Sequence, residues 1–340
     1  MLTRIALALL ILFTYSAQAS SRELIDMAGD EVALPEYVER VATVGAVPVL
    51  NSLLFAIGAG KRIVNGLPEF ARKPRFGYQE IFAPQMADLP SLQNADNSPK
   101  LEDVLRVAPT IVLTMDRPGG ESLRQAGQSA LFVAWRHPED IKIAVRLLGQ
   151  VFDRAPAAER YVTFFDATLA RVATGLKYAP AVRPRVLYFS PRTLTQPHLV
   201  AEWWIRQAGG ESVTEDGRSM ESRSFTMEQL LAWDPDIVIV PVREDVEVVM
   251  RDPRFAELKA VRARQVLSPP CGAHVWSQRT SEQPLTLLWA AKQFHPTLFA
   301  DVDLVDESRH FYQDFFEVAL SAAQIQEILS GGPRDKPIGR

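Results

Sequence analysis

Residues 99–114 (PKLEDVLRVAPTIVLT) and residues 225–240 (FTMEQLLAWDPDIVIV) are loose copies of one another. Aligned without a gap, Glu102 falls on Glu228, Leu105 on Leu231, Pro109 on Pro235 and Ile111 on Ile237, at a spacing of 126 positions. Each copy reads as a short amphipathic helix followed by a proline, where a helix must stop and an extended segment begin. Each then runs into β-branched residues of the kind found in a buried parallel strand. The spacing is too long for a solenoid repeat. The chain is therefore expected to hold two lobes of related construction.

The remaining signals fall around these copies. Residues 24–34 read as a hairpin turning at Ala28-Gly29-Asp30, residues 40–45 (RVATVG) as a first buried strand, and residues 51–57 as an apolar helix stopped at Gly58-Ala59-Gly60. A short strand is expected at 63–65. Residues 68–97 show no sustained period and carry several prolines, a long connection of the kind that is usually functional. After the first copy come a helix and a strand at 131–135 (LFVAW). From 138 to 178 only helical spacing is present. Residues 156–176 make one helix of about 30 Å at 1.5 Å per residue, with Pro156 at the first position, where a missing N–H costs nothing. This stretch is expected to be a rigid connector. A second alternation follows: a strand at 185–190, a helix at 200–208 ended by Gly209-Gly210, the second copy, a helix at 242–250, a strand at 265–268, and helices at 281–294 and within 306–329.

Alternating strands and helices imply parallel sheets flanked by helices. The expected fold is α/β, with two Rossmann-like lobes of mainly parallel sheet joined by one long inter-lobe helix, and a ligand cleft between the lobes. The expected boundaries are an N-terminal lobe at 20–152, the connecting helix at 153–178, and a C-terminal lobe with C-terminal helices at 179–330. A disordered tail is expected at 331–340. Residues 1–19 combine Arg4, an apolar run from Ala6 to Phe13 and Ala17-Gln18-Ala19, the pattern of a cleaved secretory signal. No cysteine follows the cleavage site, so no lipid anchor is expected, and the mature chain is expected to be a periplasmic monomer.

Several function classes find no support. A net charge of −4 without a basic, aromatic-interleaved run speaks against nucleic acid. Cys271 is the only cysteine, which rules out an intramolecular disulfide and a Cys-rich metal site. The five histidines are scattered, so no resident metal is expected. There is no G-x-S-x-G, no phosphate loop and no dinucleotide fingerprint, hence no expected cofactor and no expected catalysis. An exported enzyme acting on a chelate or oxyanion is the alternative. It needs His274 within hydrogen-bond reach of Cys271 in the cleft.

In open parallel sheets ligands bind beyond the carboxyl ends of the strands. Those ends bring forward Arg117, Trp135, Arg136, Arg192, His274, Trp276 and Arg279. Guanidinium forks suit anionic oxygens, and aromatic faces suit flat organic ligands. The plainer alternatives are a core tryptophan at 135, a solvated charge at 136 and a small buried thiol at 271.

Residues 26–35 follow D-x-x-G-x-x-V-x-L-P, residues 53–60 read LLFAIGAG, and residues 276–288 read WSQRTSEQPLTLL. His295-Pro296, Phe311-Tyr312 and Phe315-Phe316 mark the C-terminal stretch. With the two glutamate-bearing copies and the long central helix, these resemble the helical-backbone class of periplasmic binding proteins, which serve ABC importers of iron–siderophore complexes, haem and cobalamin. The resemblance covers nearly the whole mature chain. It implies that Glu102 and Glu228 dock into arginine pockets of the inner-membrane permease. It also implies a ligand held between the lobes by Trp276 and Arg279, with Tyr78 as an N-lobe wall. The expected ligand is a ferric siderophore or similar anionic metal chelate. Cys271 and His274 depart from many siderophore binders, which leaves a metal oxyanion (molybdate or tungstate), a nickel chelate, haem or cobalamin as alternatives. One stiff helix between the lobes implies small closure on ligand.

Overall fold

The computed structural model describes residues 21–135 and 137–334. The expected export signal, Arg136 and the last part of the expected tail, 335–340, lie outside the described residues.

The chain enters through an antiparallel hairpin of β1 (Ser21–Ile25) and β2 (Glu31–Pro35). Gly29 turns it at φ +88°, a conformation that glycine adopts without steric cost. The Asp26 carboxylate accepts the N–H groups of Ala28, Asp30 and Phe132, pinning the turn to the neighbouring sheet. Strand β3 (Val41–Val44) leads into α1 (Val47–Ala56), every residue of which is buried. This helix starts four residues before the expected 51, with Pro48 in its first turn, where proline needs no hydrogen-bond partner. The expected strand at 63–65 reduces to a single bridge from Ile63 to Val41. The long connection after it is built of 3₁₀ turns and the short helix α2 (Tyr78–Phe82).

The first copy of the repeat then forms α3 (Leu101–Val107) and β4 (Ile111–Thr114). It is followed by α4 (Arg117–Gln125), β5 (Ala130–Phe132), α5 (Asp140–Val151) and the 21-residue α6 (Ala155–Gly175). The second lobe runs β6 (Arg185–Tyr188), β7 (Thr195–Gln196), α7 (Val200–Gln207), β8 (Glu211–Ser212) and β9 (Arg223–Ser224). The second copy follows as α8 (Met227–Trp233) and β10 (Ile237–Ile239). After α9 (Glu244–Arg251), α10 (Lys259–Arg262) and β11 (Val266–Leu267) come α11 (Gln283–Phe294), α12 (Leu304–Asp314) and α13 (Ala322–Leu329).

Both sheets are parallel, with strand orders β3-β4-β5 and β8-β6-β10-β11. The repeat holds residue for residue. Helices α3 and α8 are each seven residues long, and each ends in a left-handed residue, Ala108 at φ 49° and Asp234 at φ 40°. A proline follows in both cases, and then the strand at the centre of its lobe's sheet. The antiparallel hairpin β1-β2 and the antiparallel pair β7-β9, which α7 and β8 separate in the chain, are additions to this plan.

The long helix is not a bare rod. It folds back on α5 and also packs against α11, α1 and α7, burying Tyr161, Val162, Phe165, Thr168 and Val172. Gly149 permits the close α5–α6 approach, since a Cβ there would meet that of Ala158 at 2.6 Å. The Tyr161 hydroxyl donates to the Ser281 carbonyl at 2.7 Å. Ser281 in turn donates its N–H to Ser52 Oγ (3.1 Å) and its hydroxyl to the Ser52 carbonyl (2.7 Å), tying the start of α11 to α1. The C-terminal helices cross back to the first lobe, where Phe82 lies against Tyr312 and Phe316 at ring separations of 5.2 and 4.8 Å. One apolar core therefore runs through both lobes and reaches the carboxyl side of the sheets at Trp135 and Trp276.

Candidate functional site

Beyond the ends of β4 and β5, and facing the loop between β8 and β9, lies a cleft of about 610 Å³. Met115, Trp135 and His137 line it from the first lobe, and Arg218, Glu221 and Arg279 from the second. This is where two facing parallel sheets should hold a ligand. Arg218 is the best-prepared group in it. Its side chain is only 8% exposed, and its Nη1 meets Glu202 at 2.5 Å and the Thr214 carbonyl at 2.8 Å. Its Nε and Nη2 are buried and have no hydrogen-bond partner. Burial pushes the Glu202 carboxyl up, against the pull of Arg218, Thr214 and Gln196. The Trp135 indole N–H is likewise buried and unpartnered. Arg279 pairs with Glu221 at 2.5 Å, and His198 Nδ1 stands 3.3 Å from the same carboxylate. Burial opposes the charge of Glu221, yet the His198 contact and the Arg279 charge together hold it below the usual carboxylate value.

The cleft thus presents directional N–H donors. Arg279 is paired with Glu221, and Arg218 with both Glu202 and Asp216 (3.2 Å), so an incoming anion meets hydrogen-bond donors and no net positive charge from these groups. Buried, preset donors of this kind bind oxyanions or carboxylates strongly when their geometry matches. Among the described residues no group of three or more His, Cys, Asp or Glu side chains could hold a metal ion.

The expected site residues divide into three groups. Trp135 and Arg279 line the cleft together. Arg117 and Arg192 sit on exposed faces, the first beside Asp30 (3.7 Å) and Glu121 (3.5 Å), the second paired with Asp245 at 3.1 Å. Tyr78, His274 and Trp276 are buried in the seam between the lobes. Burial and then Glu327 push the Tyr78 phenol up, and its hydroxyl donates to Gln324 O and Glu327 Oε2. His274 packs on Phe76 with rings 5.5 Å apart. Burial, then the Arg75 charge, bring it down to about 3, so it is neutral. Cys271 donates to the Arg75 carbonyl at 3.2 Å, and burial raises its thiol to about 12. A thiol that stays protonated is a poor nucleophile. Arg218 and Glu221 escaped the sequence reading because β8 is two residues long and shows no period. Its only signal is the polar, glycine-containing run Glu215-Asp216-Gly217-Arg218-Ser219.

Glu102 and Glu228 are both exposed, each in the first turn of its helix. A Cβ at Gly119, in the first turn of α4 just beyond β4, would lie 3.3 Å from Pro99, just before α3. Likewise Phe225, just before α8, donates its N–H to Leu194, in the loop after β6. Both glutamates therefore stand at the carboxyl edges of their sheets, on the side of the cleft.

The family described as periplasmic binding protein matches residues 51–270. The molybdate-binding protein MolA of Haemophilus influenzae is 22% identical over 338 residues, covering 92% of this chain and 95% of its own. The structure of MolA bound to molybdate superposes with a TM-score of 0.77 at 20% identity, over 88% of this chain and 99% of that one. A periplasmic solute-binding protein from Veillonella parvula gives a TM-score of 0.80 at 25% identity, over 91% and 97%. CeuE of Helicobacter pylori in a nickel–histidine complex gives 0.73 at 16% identity, over 91% and 99%. The chain belongs to the periplasmic binding protein family, as a two-lobed solute-binding protein of the periplasm.

Proposed function

We propose that the protein captures a metal oxyanion of the molybdate or tungstate class and delivers it to an ABC importer. The observation that carries this reading is the free edge of Arg218. Its two unpartnered nitrogens, and the N–H of Trp135 on the wall of the same cleft, are buried donors without an acceptor, which a native structure rarely leaves unsatisfied without reason. The likeness to a molybdate-binding protein supports the same ligand class. An anionic metal chelate, a ferric siderophore included, is the second reading. The cleft volume favours it, since about 610 Å³ suits an organic ligand better than a bare tetrahedral anion.

Tryptophan fluorescence and calorimetric titration separate the two. Molybdate and tungstate should saturate the protein, sulfate should bind more weakly, and Arg218→Lys should abolish the difference. Silence toward both oxyanions, with saturation by an anionic ferric chelate or nickel–histidine, overturns the first reading in favour of the second. For delivery, Glu102 and Glu228 are proposed to engage paired cations on the permease, a geometry suited to charge-assisted contacts at fixed separation.

A further inference from the structure

The two copies of the repeat share more than a glutamate. Leu105 and Leu231, at matched positions, are exposed large apolar side chains, at 51% and 44%. Each lies three residues after its glutamate, so on a helix it is a same-face neighbour of that carboxylate. The opposite face of each helix is anchored by a fully buried residue, Val104 or Leu230. Neither exposed leucine belongs to or packs against a core cluster of the described residues. A single exposed leucine needs no explanation. Here the neighbouring matched positions differ, as in Asp103 and Gln229, Arg106 and Ala232, and Val107 and Trp233. The glutamate and the exposed leucine coincide in both copies.

We propose that Leu105 and Leu231 are apolar plugs that accompany Glu102 and Glu228 into two related sockets on the membrane-embedded subunits of the importer. Each socket offers a cation to the carboxylate and an apolar wall to the leucine. The inference rests on the docking role of the glutamates and extends it to the residues that supply buried area. The repeat specifies the partner's shape. Two like surfaces on one chain, at the carboxyl edges of both sheets, fit a partner whose own face is approximately twofold symmetric. A partner with a single socket would use one copy and leave the other leucine idle.

The test measures binding to the importer from the same organism, reconstituted in lipid nanodiscs, alongside molybdate titration and thermal unfolding of the free protein. Burying the exposed half of a leucine corresponds to about tenfold in affinity. Leu105→Gln and Leu231→Gln should each weaken importer binding by about tenfold, and the double variant by about a hundredfold. Unfolding and the molybdate titration should be unchanged. Leu105→Met with Leu231→Met should restore importer binding, because the apolar volume is kept. Wild-type binding by the double glutamine variant overturns the proposal. If Glu102→Gln with Glu228→Gln still weakens binding in that case, only the leucine inference falls. If the glutamate pair is also silent, the docking reading falls with it.

Discussion

Two buried ionisable side chains in this molecule are solvated in opposite ways. Glu282, fully buried at the start of α11, accepts from the N–H groups of Ala273 and His274 (both 3.1 Å), from Thr280 Oγ1 (2.7 Å) and from the Tyr312 hydroxyl. Four donors meet a group with about four acceptor sites. Even so, burial outweighs them and keeps its carboxyl raised. Arg218 has five N–H donors, yet its contacts are confined to Nη1. A saturated charge fixes the backbone around it, here the 271–282 loop. Arg218 is instead a half-saturated charge, held at one nitrogen by Glu202, Thr214 and Asp216 with the others left over. The contrast is between these two groups and not between whole regions, since His274 Nδ1 and Trp276 Nε1 in the seam are also buried without a partner.

The largest effect that could break the contrast is at Glu282. Glu282→Ala leaves four buried donors without an acceptor and should cost about 3–5 kcal/mol of stability by analogy with a broken buried ion pair. Urea unfolding checks this, and a cost below about 1 kcal/mol would mean the network is not structural. Next is Arg218→Lys, which keeps a cation for Glu202 but removes the planar second edge. It should lower oxyanion affinity by about 10–100-fold, the worth of one charge-assisted hydrogen bond, while unfolding shifts by no more than about 1 kcal/mol. Arg218→Ala, by contrast, should also destabilise, because Glu202 then loses its buried partner. Trp135→Phe should cost less, about tenfold or under in affinity, since a single neutral N–H is lost.

The smallest expected effect concerns pH. The carboxyl of Glu221 is depressed in the folded state. Its contribution to stability is therefore fully present above its unfolded value of about 4.3 and is lost as pH falls through the lower, folded value. Thermal unfolding of the wild type and Glu221→Gln between about pH 3 and 7 should show a difference that closes on the acid side. A difference that instead grows as pH falls would reverse the assignment.

The repeat was legible to the residue because its signals are local. A proline after a left-handed cap and a β-branched run specify a helix stop and a strand start without outside help, which is why α3 and α8 end at equivalent positions. The start of α1 was less legible, since a helix buried all round has no polar face to mark its length. Tyr78 and Trp276 show the limit for aromatics. The same ring at a strand end or in a loop serves equally as a cleft wall or as packing, and here both fill the seam. The long α6 read as a lone rod because helical spacing throughout 138–178 does not show that α5 and α6 fold back on one another, and its other partners, α11 and α1, are distant in sequence.

Alone, the order of residues determined the two-lobed parallel architecture, the matched helices with their exposed glutamates, and the edge on which the cleft opens. Only the tertiary structure decided which polar groups in that cleft remain free. Glu202 reaches Arg218 and Glu221 reaches Arg279 from remote positions. Whether a donor is spent or available depends on those long-range pairings, which periodicity along a chain does not encode.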